Sequence, residues 1–216
     1  MKSARAGARG GTQMSKSEPT DSFLALIRAA EEGEVDETLA EVLAKLEVSE
    51  GDEGEGKSGD SPEEKRPRGL GPEGRVQADA VGVELSSVLY SYDATKARVC
   101  HAPDSPSGAG TAQALVAQLE DESLGSQKLV AVQESLADLS GDPASLKKFI
   151  SDARPALRGA LVLVSEDSEM LQALAAELGL EELEISFEHA TGVLLAYPTE
   201  GEDCDAWTLI RRLSHE

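Results

Sequence analysis

The first apolar block, Phe23-Leu24-Ala25-Leu26-Ile27-Arg28-Ala29-Ala30, places Phe23, Leu26, Ile27 and Ala30 on one helical face, with Asp21 or Ser22 to cap it and Gly33 to end it. A second helix is expected over Glu37 to Glu47, capped by Asp36, where Leu39, Val42, Leu43 and Leu46 form a stripe and Glu41 and Lys45 stand at the favourable i, i+4 spacing. The two read together as an amphipathic hairpin. Further along, Val81 to Tyr92 and Lys96 to His101 read as strands on either side of Asp93-Ala94-Thr95. Thr111 to Leu119 reads as a helix, Lys128 to Val132 as a strand, and Pro143 to Ile150 as a helix capped by Asp142.

Ala160 to Val164 is a continuous apolar run of the kind that forms a strand buried on both faces. Ser168 to Leu178 follows as a helix burying Met170, Leu171, Leu174 and Leu178, with Gly179 in the position of a left-handed helix terminator. Leu183 to Phe187 and Val193 to Tyr197 flank His189-Ala190-Thr191-Gly192 as a hairpin would, and Asp203 to Leu213 has a helical stripe. Strands alternating with helices imply an α/β fold: a small three-layer domain on a mainly parallel sheet with a late antiparallel hairpin. It is preceded by the helical segment and a disordered acidic linker. The boundaries expected are a disordered tail at 1–20, the helical docking segment at 21–48, an acidic Gly/Pro-rich linker at 49–75 and the α/β domain at 76–216.

Charge narrows the function. With 41 acidic against 20 basic residues the chain carries −21, which disfavours nucleic acid and anionic membrane surfaces as partners. Aromatic residues make up only 3%, too few for a base-stacking platform. Cys100 and Cys204 stand far apart with no CxxC pair, so neither a disulfide framework nor a zinc module is indicated and a reducing, cytoplasmic setting is expected. No apolar run approaches the roughly 20 residues of a membrane span, and the basic start to Gly10 lacks the apolar core of a secretory signal, with Met14 an alternative initiator.

The sharpest chemical candidate is Ser105-Pro106-Ser107-Gly108-Ala109-Gly110-Thr111, a small, glycine-containing loop between a strand and a helix. Backbone N–H groups at a helix N-terminus bind anions when glycine lets the ligand approach, so Ser107, Gly108, Gly110 and Thr111 form a candidate phosphate site. The lysine of a P-loop is missing, and neither nucleotide fingerprint is complete. Cys100 and His101 adjoin, yet neighbours on a strand face opposite ways and cannot share a proton. The three histidines and two cysteines show no metal-ligand spacing, and no cofactor is expected.

No complete catalytic constellation is visible, whereas separated amphipathic and linker segments are. The sequence therefore points to a non-enzymatic adaptor with an assembly or regulatory role. A protein partner, or a second copy, would dock on Phe23, Leu26, Ile27, Leu39, Val42, Leu43 and Leu46. The alternative is a degenerate nucleotide- or phosphate-binding α/β domain, acting as a switch or weak NTPase through the loop at Ser107 to Thr111.

Overall fold

Five consecutive apolar residues fit a buried strand as well as a helical face, and pairing decides between them. In the computed structural model Ser22–Arg28 is a strand, β1, with Phe23 to Ile27 buried. The structure describes residues 22–34, 68–121, 129–140, 142–153, 159–181, 185–197 and 207–215. Along the chain follow β2 (Glu32–Glu34), β3 (Arg68–Leu70), α1 (Pro72–Ser91), β4 (Lys96–His101), α2 (Pro106–Leu119) and β5 (Val130–Ser135). Then come α3 (Pro143–Ala153), β6 (Ala160–Ser165), α4 (Ser168–Glu177), β7 (Gly192–Tyr197) and β8 (Thr208–Leu213).

Six strands form one sheet in the order β5-β4-β6-β1-β7-β8. β1 is parallel to β6, with Phe23 opposite Ala160 and Arg28 opposite Ser165, and antiparallel to β7. β4 is parallel to both β5 and β6, while β8 pairs antiparallel with β7. The mainly parallel α/β fold with late antiparallel strands is thus the one expected from the order of elements. β2 and β3 make a separate two-stranded ribbon.

Each face of the sheet has its own core. Phe23, Ala25, Ile27, Val99, Val162 and Val164 pack with Leu85 of α1 and Leu115 of α2. On the other face Leu24, Leu26, Cys100, Leu161 and Leu163 pack with Leu146 and Ile150 of α3 and Leu171 and Leu174 of α4. Period-two alternation along β1 and β6 feeds both layers, which is why these strands read as unbroken apolar runs.

Several expected elements are corrected. The helix over Phe23 to Ala30 is β1, so Phe23, Leu26 and Ile27 are 2%, 0% and 0% exposed inside the sheet and present no docking stripe. Leu39, Val42, Leu43 and Leu46 lie outside the described residues, as do the tail at 1–20 and most of the linker at 49–75. The sheet begins at Ser22, not after residue 76, and β3 and the start of α1 fall inside the expected linker.

The expected strand over Val81 to Tyr92 is the second half of α1. Its buried positions, Ala78, Val81, Gly82, Leu85, Ser86 and Leu89, recur with helical period, but small and polar residues among them hide the stripe. Gly74 is required there, because a Cβ would stand 2.2 Å from the Glu31 carbonyl oxygen. The expected final helix is the edge strand β8, antiparallel to β7, and residues 185–187 of the expected hairpin form no strand. The α4 terminus does follow expectation. Gly179 has φ +85° and donates to Ala176 O at 2.9 Å while Leu180 N donates to Ala175 O at 3.0 Å, the paired bonds of a Schellman motif.

Candidate functional site at the carboxyl edge of the sheet

Because β1, β4, β5 and β6 run parallel, their carboxyl ends share one edge. The helix after β4 lies on one face of the sheet and the helix after β6 on the other. Connections that leave adjacent strands for opposite faces open a crevice, the usual ligand position in open α/β sheets. Arg28 ends β1, His101 ends β4, and Ser165 and Glu166 end and follow β6.

The loop after His101 builds one wall. Ser105 is the N-cap of α2: its backbone is extended, its Oγ accepts from Gly108 N at 2.9 Å, and Pro106 takes the first helical position. The same Ser105 hydroxyl donates to Glu166 Oε1 at 2.6 Å, and the Ser107 hydroxyl donates to the same oxygen. The amides of Ser107 and Gly108 lie near enough to favour its charged form as well. The anion at the α2 N-terminus is therefore the chain's own Glu166.

Partial burial pushes the Glu166 carboxyl up, but the two hydroxyls and two amides outweigh it and hold the group below the usual carboxylate range. Among the described residues no cation forms an ion pair with it. The Glu166 residue is exposed, so the carboxylate has an open path to solvent.

β1 and its flanks build the opposite wall. Arg28 donates through one terminal nitrogen to Phe187 O at 3.1 Å, while its Nε is buried and has no hydrogen-bond partner among the described residues. Ala29 N donates to Ser165 O at 2.8 Å, tying the end of β1 to the residue before Glu166. His101 is buried, and its Nδ1 lies 2.9 Å from Ala102 O. A carbonyl only accepts, so Nδ1 carries a proton and donates to it, which leaves Nε2 as the nitrogen not engaged by the backbone.

Of the four residues expected to hold phosphate, the structure brings Ser107 and Gly108 to this edge. Thr111 is buried and accepts from Ala30 N at 3.0 Å, which makes it a tie between α2 and the end of β1. Gly110 packs against Leu70 of β3, whose Cγ would lie 2.8 Å from an added Cβ. Ser105 stood in the sequence-derived loop but not among its phosphate-binding residues; Arg28 and Glu166 were absent from it. Their one signal is position, since each ends or follows an apolar strand where α/β sheets place ligands.

Cys100 is fully buried on the opposite face from α2, and burial pushes its thiol up to about 11, so it is no nucleophile at neutral pH. Among the described residues no three His, Cys, Asp or Glu side chains converge as a metal would need, and no helix is long and apolar enough to cross a membrane.

Comparison by sequence finds no matching family and no matching curated protein. Comparison by structure does. The crystal structure of a protein assigned as the phosphohistidine phosphatase SixA of Agrobacterium tumefaciens superposes with a TM-score of 0.50 at 13% identity, covering 92% of this chain and 99% of that one. The structure of the protein histidine phosphatase SixA complexed with tungstate gives 0.52 at 14% identity, covering 89% of this chain and 97% of that one. The fold is that of the SixA phosphatases. This corrects the adaptor reading and its protein-interaction role: almost the whole chain superposes on single enzyme domains, and the first supposed docking helix is the central strand of the sheet.

Proposed function

We propose that the chain is a phosphatase-type domain that receives a phosphoryl group at the carboxyl edge of its sheet, with phosphohistidine, the substrate named for both structural neighbours, as the first candidate. The observation that carries this reading is the convergence of oxyanion donors at one strand edge of that fold. The hydroxyls of Ser105 and Ser107 already hold an anion beside the first amides of α2, and among the described residues the buried Nε of Arg28 has no acceptor. Tungstate, carried by one neighbour, is a tetrahedral oxyanion like phosphate.

Within this reading Arg28 supplies the fixed positive charge and the α2 N-terminus the neutral donors that stabilise charge on a transferring phosphoryl group. His101 supplies a basic nitrogen for proton transfer to or from the reacting oxygen or nitrogen. The overall charge of −21 opposes entry of any dianion, so these local donors carry the recognition. A cytoplasmic location belongs to the same reading, since two widely separated cysteines suit a reducing compartment.

The test is phosphate release by the full chain from a phosphohistidine peptide and from p-nitrophenyl phosphate. Release is expected, with a loss of at least about tenfold in Arg28→Gln, the size of effect removal of one charged oxyanion contact produces. Release no faster than in buffer for both substrates contradicts the proposal.

A further inference from the structure

The Glu166 carboxylate sits where an incoming phosphoryl group would need to sit. It takes two hydroxyl bonds at the α2 N-terminus, from Ser105 and Ser107, beside the first amides of the helix and, among the described residues, without a cation to pair with it. At the same edge Arg28, in register with Ser165 next to Glu166, keeps a buried Nε without an acceptor among the described residues. A buried guanidinium N–H left unbonded is costly, and among the described residues none accepts from it. The donors at this edge are thus the α2 N-terminus, which holds an internal ligand, and the Arg28 guanidinium.

We infer that Glu166 is the resident anion of the phosphoryl site, a specificity-determining residue that a tetrahedral oxyanion must displace before it can reach the α2 N-terminus. The inference rests on the phosphoryl reading given above and adds the control of the same site. With the carboxylate in place, a phosphoryl dianion meets a like charge at contact distance, which disfavours it strongly. With the carboxylate turned out, the Ser105 and Ser107 hydroxyls and the first amides of α2 are left for one tetrahedral ligand, and Arg28 ends the neighbouring strand at the same edge. Displacement is feasible because Glu166 is exposed and follows the last residue of β6, so the exchange needs only side-chain rotation. The consequence is selection: a ligand enters only if its oxygens bond the site better than a single carboxylate does, which weakens binding of small monoanions most.

The experiment measures tungstate binding to the full chain by titration calorimetry at pH 8, for the wild type, Glu166→Ala, Glu166→Gln and Glu166→Ala combined with Arg28→Gln. Tungstate is expected to bind Glu166→Ala at least about tenfold more tightly than wild type, Glu166→Gln to bind more tightly by a smaller factor because its amide still fills the site, and the combined variant to lose the gain. Melting temperatures are recorded alongside; should Glu166→Ala fail to fold, the isosteric Glu166→Gln decides on the same criterion. Equal or weaker binding by the folded Glu166 variants, with measurable binding by wild type, overturns the displacement inference and leaves the phosphoryl reading standing. Absence of tungstate binding in every folded variant overturns the phosphoryl reading, and the inference with it.

Discussion

Gly108→Ala tests whether the Ser105–Glu166 arrangement is as tightly coupled as its geometry implies. An added Cβ would stand 2.3 Å from Ser105 Oγ and 3.1 Å from Ser105 Cβ, so the hydroxyl must rotate away. Rotation breaks two bonds at once, the N-cap to Gly108 N at 2.9 Å and the bond to Glu166 at 2.6 Å. Loss of a serine cap costs about 1 kcal/mol. Loss of the hydroxyl–carboxylate bond costs roughly 1–2 kcal/mol, toward the low end because Glu166 is exposed and can turn to water. Alanine returns up to about 1 kcal/mol in helix propensity.

The net expectation is a loss of roughly 1–2 kcal/mol, a fall of about 3–8 °C in melting temperature for a domain of this size. Urea and thermal unfolding of Gly108→Ala, Ser105→Ala and the double variant supply the assay. Both substitutions act on the same hydroxyl, so the double variant should lose less than the sum of the two singles by about 1 kcal/mol or more. Strict additivity, or a Gly108→Ala protein more stable than wild type, refutes the reasoning.

Gly159→Ala should destabilise by roughly 3 kcal/mol, because the new Cβ would lie 2.2 Å from the Lys96 carbonyl oxygen between β4 and β6, and no side-chain rotation relieves a backbone clash; chemical denaturation measures it. Cys100 should resist thiol reagents in the native chain at pH 8, as its burial holds the thiol at about 11. The sign of its pH linkage follows: a thiol raised from 9.0 in the unfolded chain to about 11 stabilises the fold fully below pH 9, and that contribution, on the order of 2–3 kcal/mol, is lost as pH rises through 9 to 11. Unfolding curves of wild type and Cys100→Ala across that window should converge toward high pH. Glu166 has the opposite sign, with a depressed carboxyl that stabilises above the ordinary carboxylate range and loses that contribution only as pH falls below it; stability of wild type and Glu166→Gln should therefore converge below about pH 4.

The parallel sheet was legible because Ala160 to Val164 has no polar residue and is too short for a helix, and because Gly179 marks the end of α4. β1 has the same apolar character, yet Phe23, Leu26 and Ile27 also match a helical face, and only its neighbours β6 and β7 remove the ambiguity. α1 was misread for the reverse reason, since Gly82, Ser86 and Ser87 dilute a helix whose packing relies on small residues against α2. At the site, the loop from Ser105 to Thr111 announced itself by its glycines. Glu166 could not, because it is one of 41 acidic residues and its contact with Ser105 spans 61 positions of sequence. Charge abundance hid the residue that fills the loop's anion position.

Oxyanion binding at the carboxyl edge of the sheet can be seen in a crystal of the full chain soaked in tungstate, with the tungsten located by its anomalous scattering. Tungsten is expected within hydrogen-bonding range, through its oxygens, of the Ser107 and Gly108 amides and the Arg28 guanidinium, with the Glu166 carboxylate turned toward solvent. Tungsten absent from this edge at saturating concentration, with Glu166 still bonded to Ser105 and Ser107, would contradict it.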